Sequence, residues 1–326
     1  MSYESKLAMS VTEIPEFVKK SYGRDVEVSD VHSGYMSSTL KLVSESEFFI
    51  LKVASANESG RQELGMSFIS LLASEGVPVS KCIPSASGEC WIDLAQSRFS
   101  LWEFLEGDPY VPGNTDQLAE AASVLGRIHR LGRGLAISNV NLDISFLDRL
   151  GEELDEDWSV LELDAKSITG RTIHDFRSRL ERIREQFPTE MPCLGLIHGD
   201  FRGQNLLFRG NKVSGVLDFD SAHIAPRLYD VSYALMFFQA VLASEPLTDS
   251  EFFHFLDSYC VSFGIDIQNE LSFPALLEIS LLKGVTLWMR IFRETSNSRA
   301  GQWIEAYLPM LNWVDRFSQE FPNQFS

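Results

Sequence analysis

The stretch that most constrains this chain is residues 196–220, LIHGDFRGQNLLFRGNKVSGVLDFD. Two short apolar runs, residues 193–197 and 213–217, each lead into polar residues that include a carboxylate. Runs this short and this apolar read as buried strands, and a rigid strand holds the side chains at its end in place. His198, Asp200 and Asn205 lie between the runs, and Asp218 and Asp220 close the second. The alternative is a structural turn followed by an ordinary strand pair.

The residue types suit a site that handles a metal-bound phosphate. Asp200 can orient an attacking hydroxyl and accept its proton. Asn205 offers a neutral amide oxygen and Asp218 a charged oxygen pair, both suited to magnesium, which prefers oxygen ligands and the phosphates of its substrate. Phosphoryl transfer needs little beyond positioning, charge neutralisation and a group that orients the nucleophile. A carboxylate is a weak base at neutral pH, so placement is the main work expected of Asp200.

The segment HGDFRGQN, residues 198–205, resembles the HxDxxxxN catalytic loop of the aminoglycoside phosphotransferase / choline kinase family, which includes homoserine-kinase-type members and is related to the protein kinases. LDFD, residues 217–220, is similar to the metal-binding segment of that family, with Asp218 in the place of the metal-binding aspartate. The resemblance runs over nearly the whole chain. It implies an α+β, bilobal, protein-kinase-like fold, with a small antiparallel-sheet nucleotide-binding lobe at residues 1–97. A larger, mainly helical catalytic and acceptor-binding lobe is expected at 98–326. It implies ATP and Mg2+ as cofactors and Asp200 and His198 as the catalytic pair, Asp200 as the orienting carboxylate and His198 either fixing the loop through hydrogen bonds or moving protons. It also implies Asn205 and Asp218 as metal ligands, with Asp220 behind them or reaching a metal itself.

Departures from the protein kinases narrow the acceptor. The loop reads HGD rather than HRD, the metal segment DFD rather than DFG, and no APE follows. A small-molecule hydroxyl is therefore expected rather than a protein. Choline kinases usually carry HND. Homoserine kinases share HGDxxxxN but usually read DFY, and aminoglycoside kinases share HGD. Amino alcohols, hydroxy amino acids, sugars and aminoglycosides all stay open. Two rival classes use the same residues: a catalytically silent nucleotide-binding scaffold and a metal-dependent phosphohydrolase. A lysine-bearing strand and a lobe linker favour the kinase.

Charge bears on the partner. Lys plus Arg number 28 and Asp plus Glu 46, a formal charge of 28 − 46 = −18 over 326 residues. That argues against nucleic acid as a partner, since backbone binding needs a positive footprint. It suits a cationic or zwitterionic acceptor, or simple solubility. The four cysteines, Cys82, Cys90, Cys193 and Cys260, lack metal-ligand spacing and read as thiols of a reducing compartment. The N-terminus lacks a basic segment followed by an apolar core, and no run reaches the ~18 apolar residues of a membrane span. A cytoplasmic protein that does not enter the membrane is expected. Nothing in the pattern speaks to oligomeric state.

Along the chain, residues 13–22 read as an amphipathic helix, and 26–32, 40–44 and 48–53 as three strands. Residues 33–38 lie between the first two strands. There Gly34, Ser37 and Ser38 either cradle phosphate with backbone N–H groups or form a plain hairpin turn. Lys52 sits on the third strand, FFILKV. By position it resembles the lysine that contacts the nucleotide phosphates, the alternative being a surface-facing residue. Its expected partner is Glu63 on the next helix, residues 58–72, with Glu58 as the fallback. Residues 90–94 read as a fifth strand. A linker at 95–98 is expected to meet the adenine through its backbone, and residues 100–105 to begin the large lobe.

In the large lobe, helices are expected at 116–131, 173–187, 230–243, 249–263, about 270–294 and 299–318. His129 reads as a packed histidine that supports the catalytic loop, the alternative being a catalytic base; Asp230 reads as a helix cap, and the resemblance implies that it also braces that loop. Residues 132–170, with an acidic run at 152–157, form either a solvated face or a substrate-proximal lip. Asp257, Glu270 and Glu278 are unranked candidates for contact with an amine.

Overall fold

The structure, a computed structural model, describes residues 9–33, 38–45, 47–55, 59–133, 176, 178–183, 194–238, 247–264, 273–295 and 299–324. Gly34, Ser37, Glu58, Cys193, Glu270 and the acidic run lie outside the described residues, as does the side chain of Glu63. The N-terminal elements are α1 (Ile14–Tyr22), β1 (Glu27–Ser33), β2 (Ser38–Ser44), β3 (Glu47–Ser55), α2 (Ser59–Ser74) and β4 (Cys82–Ile83). Next come β5 (Ile92–Leu94), β6 (Ser97–Glu103), β7 (Asp108–Pro109), α3 (Thr115–Gly132), β8 (Leu194–Ile197), β9 (Leu206–Arg209) and β10 (Lys212–Val216). The chain closes with β11 (His223–Pro226), α4 (Arg227–Phe237), α5 (Asp249–Phe263), α6 (Phe273–Thr295) and α7 (Arg299–Gln324).

These elements form two compact units. One is Met1–Tyr110 with Asn205–His223, and the other is Val111–Gln204 with Ile224–Ser326. The first is built on an antiparallel sheet of order β1-β2-β3-β6-β4, with β5 also paired to β6. Helix α1 starts with a proline in its first turn and stops at Gly23, whose φ of 67° ends a helix without a Cβ clash. Ile14, Val18 and Tyr22 recur at helical spacing and are buried against Leu40, Leu42, Leu51, Val53, Phe99 and Leu101 of the sheet. Strand alternation puts those residues on one face and leaves Lys41 and Lys52 half-exposed.

The linker expected at 95–98 is instead part of this sheet. Strand β6 begins at Ser97 and pairs antiparallel with β3 on one side and β5 on the other, Arg98 lying opposite both Ala54 and Asp93. Backbone groups that complete two ladders are not available to a base. The hairpin between β5 and β6 turns at Ala95, whose φ is 55°. A non-glycine residue there gives no sequence mark of a tight turn. Residues 100–105 accordingly continue the N-terminal sheet to Glu103 rather than open the large lobe.

A second antiparallel sheet, β10-β9-β7, belongs to the same unit. Strand β9 and the turn at Gly210 (φ 60°) were not expected from the sequence. Strand β10 is anchored by Val216 N–H donating to Pro78 O at 2.7 Å.

The second unit is mainly helical. Its core comprises α3 packed on α5, α4 on α6 and α6 on α7. Strands β8 and β11 form a small two-stranded sheet. Helix α3 carries Asn114 as a side-chain cap, and α5 begins with a capping box between Thr248 and Glu251. Helix α4 starts at Arg227, earlier than expected, with Pro226 at its cap position. Asp230 therefore lies inside the first turn, and its carboxylate faces the loop after β8. Among the described residues no helix is long and apolar enough to cross a membrane.

Candidate active site

A hairpin accounts for the spacing between Asn205 and Asp218. Strands β9 and β10 run antiparallel with Leu206 opposite Val216 and Lys212 opposite Arg209. Asn205 precedes the first strand and Asp218 follows the second, so the pair brings both to one end. Leu217 N–H donates to Asn205 O at 2.8 Å and closes that end. Asp218 has φ 64° and ψ 65°, left-handed backbone at the start of a 3-10 turn, Phe219–Ser221. Such geometry costs a non-glycine residue about 1–2 kcal/mol, and aspartate tolerates it better than most. Helix α2 seats that turn: a Cβ on Gly65 would lie 2.9 Å from Phe219 O, and Phe68 meets the Phe219 ring edge-on at 5.9 Å.

Lys52 reaches the same turn from β3. Its Nζ donates to Asp218 Oδ1 at 3.1 Å and to Asp220 Oδ1 at 3.2 Å. The lysine side chain keeps 20 % of its exposure and each aspartate 44 %. Burial disfavours the ammonium, but Asp220 and Asp218 outweigh it and hold the lysine pKa above its ordinary value. Burial lifts the Asp220 carboxyl, and the Asp218 charge adds to that lift against the opposing pull of Lys52. Trp102 lies below the ammonium, 5.9 Å from ring centre to Nζ. A cavity of about 40 Å³ beside it is lined by Lys52, Gly65, Ile69, Trp102, Phe219 and Asp220.

The loop after β8 belongs to the second unit and is held from below. The Asp230 carboxylate accepts from His198 N–H and from Gly199 N–H, both at 2.9 Å. Gly199 has φ 79°, a conformation that favours glycine and lets both amides point at one carboxylate. His129 Nε2 lies 3.0 Å from Asp230 Oδ2 and its Nδ1 2.9 Å from the Tyr259 hydroxyl. Since the carboxylate only accepts, Nε2–H donates to Asp230 and Nδ1 accepts from Tyr259. His129, His198 and Asp230 are buried. Burial depresses the His129 pKa despite its pairing with Asp230. Asp230 is held below the usual carboxylate range, because its bonds to His129 and the loop outweigh the effect of burial.

Asp200 sits above this base. Its N–H donates to His198 Nδ1 at 3.2 Å. That contact makes His198 an acceptor within the loop, a brace for the backbone of Asp200. Tyr233 donates its hydroxyl to Asp200 Oδ1 at 2.6 Å, and Arg202 Nε forms an ion pair with the same oxygen at 3.2 Å.

One unit thus gathers Lys52, Asn205, Asp218 and Asp220, and the other His198 and Asp200. Ser38 opens β2 opposite Ser33 of β1 and Val53 of β3, the strand of Lys52. Glu278 is engaged by Arg179 at 2.8 Å and Arg182 at 2.9 Å, which leaves it a structural partner rather than an amine receptor. Tyr233 and Arg202 were not singled out from the sequence. Tyr233 lies in a helix buried nearly all round, where no pattern separates it from core. Arg202 is inside the loop motif but at one of its unspecified positions.

A lysine strand, an aspartate-bearing hairpin and a braced carboxylate loop define a small-molecule kinase of the protein-kinase-like fold. The chain belongs to the phosphotransferase enzyme family, which it matches over residues 27–254. The general activity of that superfamily, ATP-dependent phosphoryl transfer, goes with membership. So does use of a nucleotide and a metal ion, and of a small-molecule hydroxyl as acceptor. A homoserine kinase from Methylobacillus glycogenes is 21 % identical over 305 residues, 93 % of this chain and 91 % of that protein. Another homoserine kinase, from Nitrobacter hamburgensis, matches over only about half of each length, 50 % of this chain and 48 % of the relative. Among solved structures, an amicoumacin kinase in complex with AMP-PNP, Ca2+ and Ami superposes with a TM-score of 0.71 at 17 % identity. That superposition covers 99 % of this chain and 96 % of the other.

Proposed function

We propose that the chain transfers the γ-phosphoryl group of magnesium-bound ATP to the hydroxyl of a small amine-bearing molecule, with hydroxy amino acids first among the candidates. The observation that carries this reading is the joint presence of the Lys52–Asp218–Asp220 cluster and the Asp200 loop braced by Asp230. The near full-length similarity to a homoserine kinase supports the acceptor class.

The donor set fits magnesium. Asp218, Asp220 and Asn205 offer hard oxygen atoms, and among the described residues no group of three or more His, Cys, Asp or Glu forms a cage. Magnesium is usually held by one or two carboxylates together with substrate phosphates. Asn205 and Asp218 would hold it, with Asp220 beside them, and it would neutralise phosphate charge there. Lys52 keeps its positive charge next to these carboxylates and supplies a second cation for the phosphates. Asp200 orients the acceptor hydroxyl and takes its proton as the new bond forms. His198 holds the backbone of that loop. Gly34 and Ser37 contribute backbone N–H groups to phosphate, whereas Ser38, paired with both Ser33 and Val53, is committed to the sheet; Glu63 is the further partner proposed for Lys52. A nucleotide-binding N-terminal lobe and a larger catalytic and acceptor-binding lobe remain our proposed functional division, with the boundary moved from residue 97 to beyond Glu103, where β6 ends, and with a cytoplasmic location.

The test is ATP consumption over a panel of hydroxy amino acids, amino alcohols, sugars and aminoglycosides, starting with L-homoserine, with product mass confirmed. A phosphorylated amine-bearing alcohol is the expected product. Rapid ATP loss without any phosphorylated acceptor would point to hydrolysis. Metal-dependent ATP binding without turnover would point to a scaffold.

A further inference from the structure

Helix α4 grips the catalytic loop at two points one helical turn apart. Asp230 fixes the loop backbone through two N–H groups, and Tyr233 holds the side chain of Asp200. Residues three apart on a helix share a face, so both grips come from one surface of α4. The second contact is the shorter, at 2.6 Å, as expected when a hydroxyl donates to a carboxylate.

The phenol is itself held in place. Its ring packs on Phe237 at 4.8 Å, and Phe237 meets Tyr307 of α7 edge-on at 5.6 Å. Tyr307 in turn accepts from Trp288 Nε1 of α6 at 2.9 Å. A chain of contacts through three helices thus backs the Tyr233 ring. Burial, reinforced by the Asp200 charge, keeps the Tyr233 pKa well above its ordinary value, so the group stays protonated and donates. Arg202 approaches the same oxygen, which gives Oδ1 a neutral donor and a cation together.

We propose that Tyr233 is the positioning residue for Asp200, pinning Oδ1 so that the carboxylate meets the acceptor hydroxyl in one orientation. This rests on the reading of Asp200 as the orienting group. Tyr233 acts through the carboxylate and adds no bond to ATP. Its loss therefore slows the chemical step and leaves nucleotide affinity alone, since reaction rate depends steeply on attack geometry.

A double-mutant cycle tests it, with Tyr233→Phe, Asp200→Asn and both together. Tyr233→Phe keeps the ring and its packing on Phe237, and a urea midpoint confirms the fold. Turnover of magnesium-ATP is followed with L-homoserine and, independently of acceptor identity, with water. Tyr233→Phe should lower kcat about tenfold and leave KM for ATP within about twofold. The double variant should match Asp200→Asn alone, because a residue that acts only through Asp200 has nothing left to position. Wild-type kcat in Tyr233→Phe overturns the proposal, as does an equal loss in the presence and absence of Asp200. Wild-type turnover in Asp200→Asn alone would remove the reading of Asp200 beneath it, an outcome visible without the tyrosine variant.

Discussion

The two candidate clusters, one in each unit, are stabilised in opposite ways. In the sheet-bearing unit, Lys52 pairs with both Asp218 and Asp220, but both carboxylates stay 44 % exposed. Their backbone is held by a hairpin, a left-handed residue and the docking of α2, none of which uses the charges. In the helical unit, Asp230 and His129 have no exposed side-chain surface, and the carboxylate receives three donors from protein groups. Charge that we propose meets a ligand is left accessible on a frame that does not need it. Charge that builds the frame is buried and satisfied. Substitutions in the first set should change binding, and those in the second should change folding.

Four substitutions and a pH series would break or sharpen that contrast. Asp200→Asn should cost about 10³-fold in transfer with nucleotide affinity intact. A rate near wild type with the true acceptor would reject its role. Asp230→Ala should destabilise the helical unit by about 3–5 kcal/mol in urea, since it strands buried donors. An unchanged midpoint would mean the loop does not depend on that brace. Asp218→Ala should weaken magnesium-dependent nucleotide binding by about 100-fold, with a urea midpoint close to wild type. Unfolding on that change would erase the contrast. Lys52→Ala should raise KM for ATP by about tenfold, the scale of one charge-assisted hydrogen bond.

The pH series addresses the buried pair. The folded pKa of His129 is depressed from 6.5, so the unfolded chain binds the proton first as pH falls. Its contribution to stability is complete above pH 6.5 and declines as pH falls towards the folded value. Asp230 is also depressed, from 3.8, and adds a further loss at lower pH. The urea midpoint should therefore decline from about pH 6.5 downward. A His129→Asn variant should flatten the upper part of that decline, and a midpoint rising on acidification would contradict the buried pairing.

Much of the frame was legible because periodicity survives in sequence. Helices α1, α3 and α5 and the meander β1–β3 carry alternating or helical apolar patterns, and the observed ends fall within a few residues of the expected ones. Strand β6 did not show itself because its hairpin turns on Ala95 rather than on glycine or asparagine. Strand β9 had a usable signal, a short apolar run followed by Gly210–Asn211, and was masked by the loop motif next to it. In α4 the apolar pattern wraps the whole helix, so the pattern could not mark the helix start or distinguish Tyr233 from core.

By itself the sequence determined the candidate residues and their order: a lysine on a strand, a carboxylate in a loop after a buried strand, and an asparagine and aspartates on either side of a hairpin. Residue type and spacing are local properties, and a chain of side chains carries them directly. Only the tertiary structure decided the pairings. Lys52 meets Asp218 across 166 positions of chain, His129 meets Asp230 across 101, and Tyr233 reaches Asp200 across 33. Contacts at such separations are chosen by how sheets and helices pack their apolar faces, and the polar groups carried on those faces meet as a consequence.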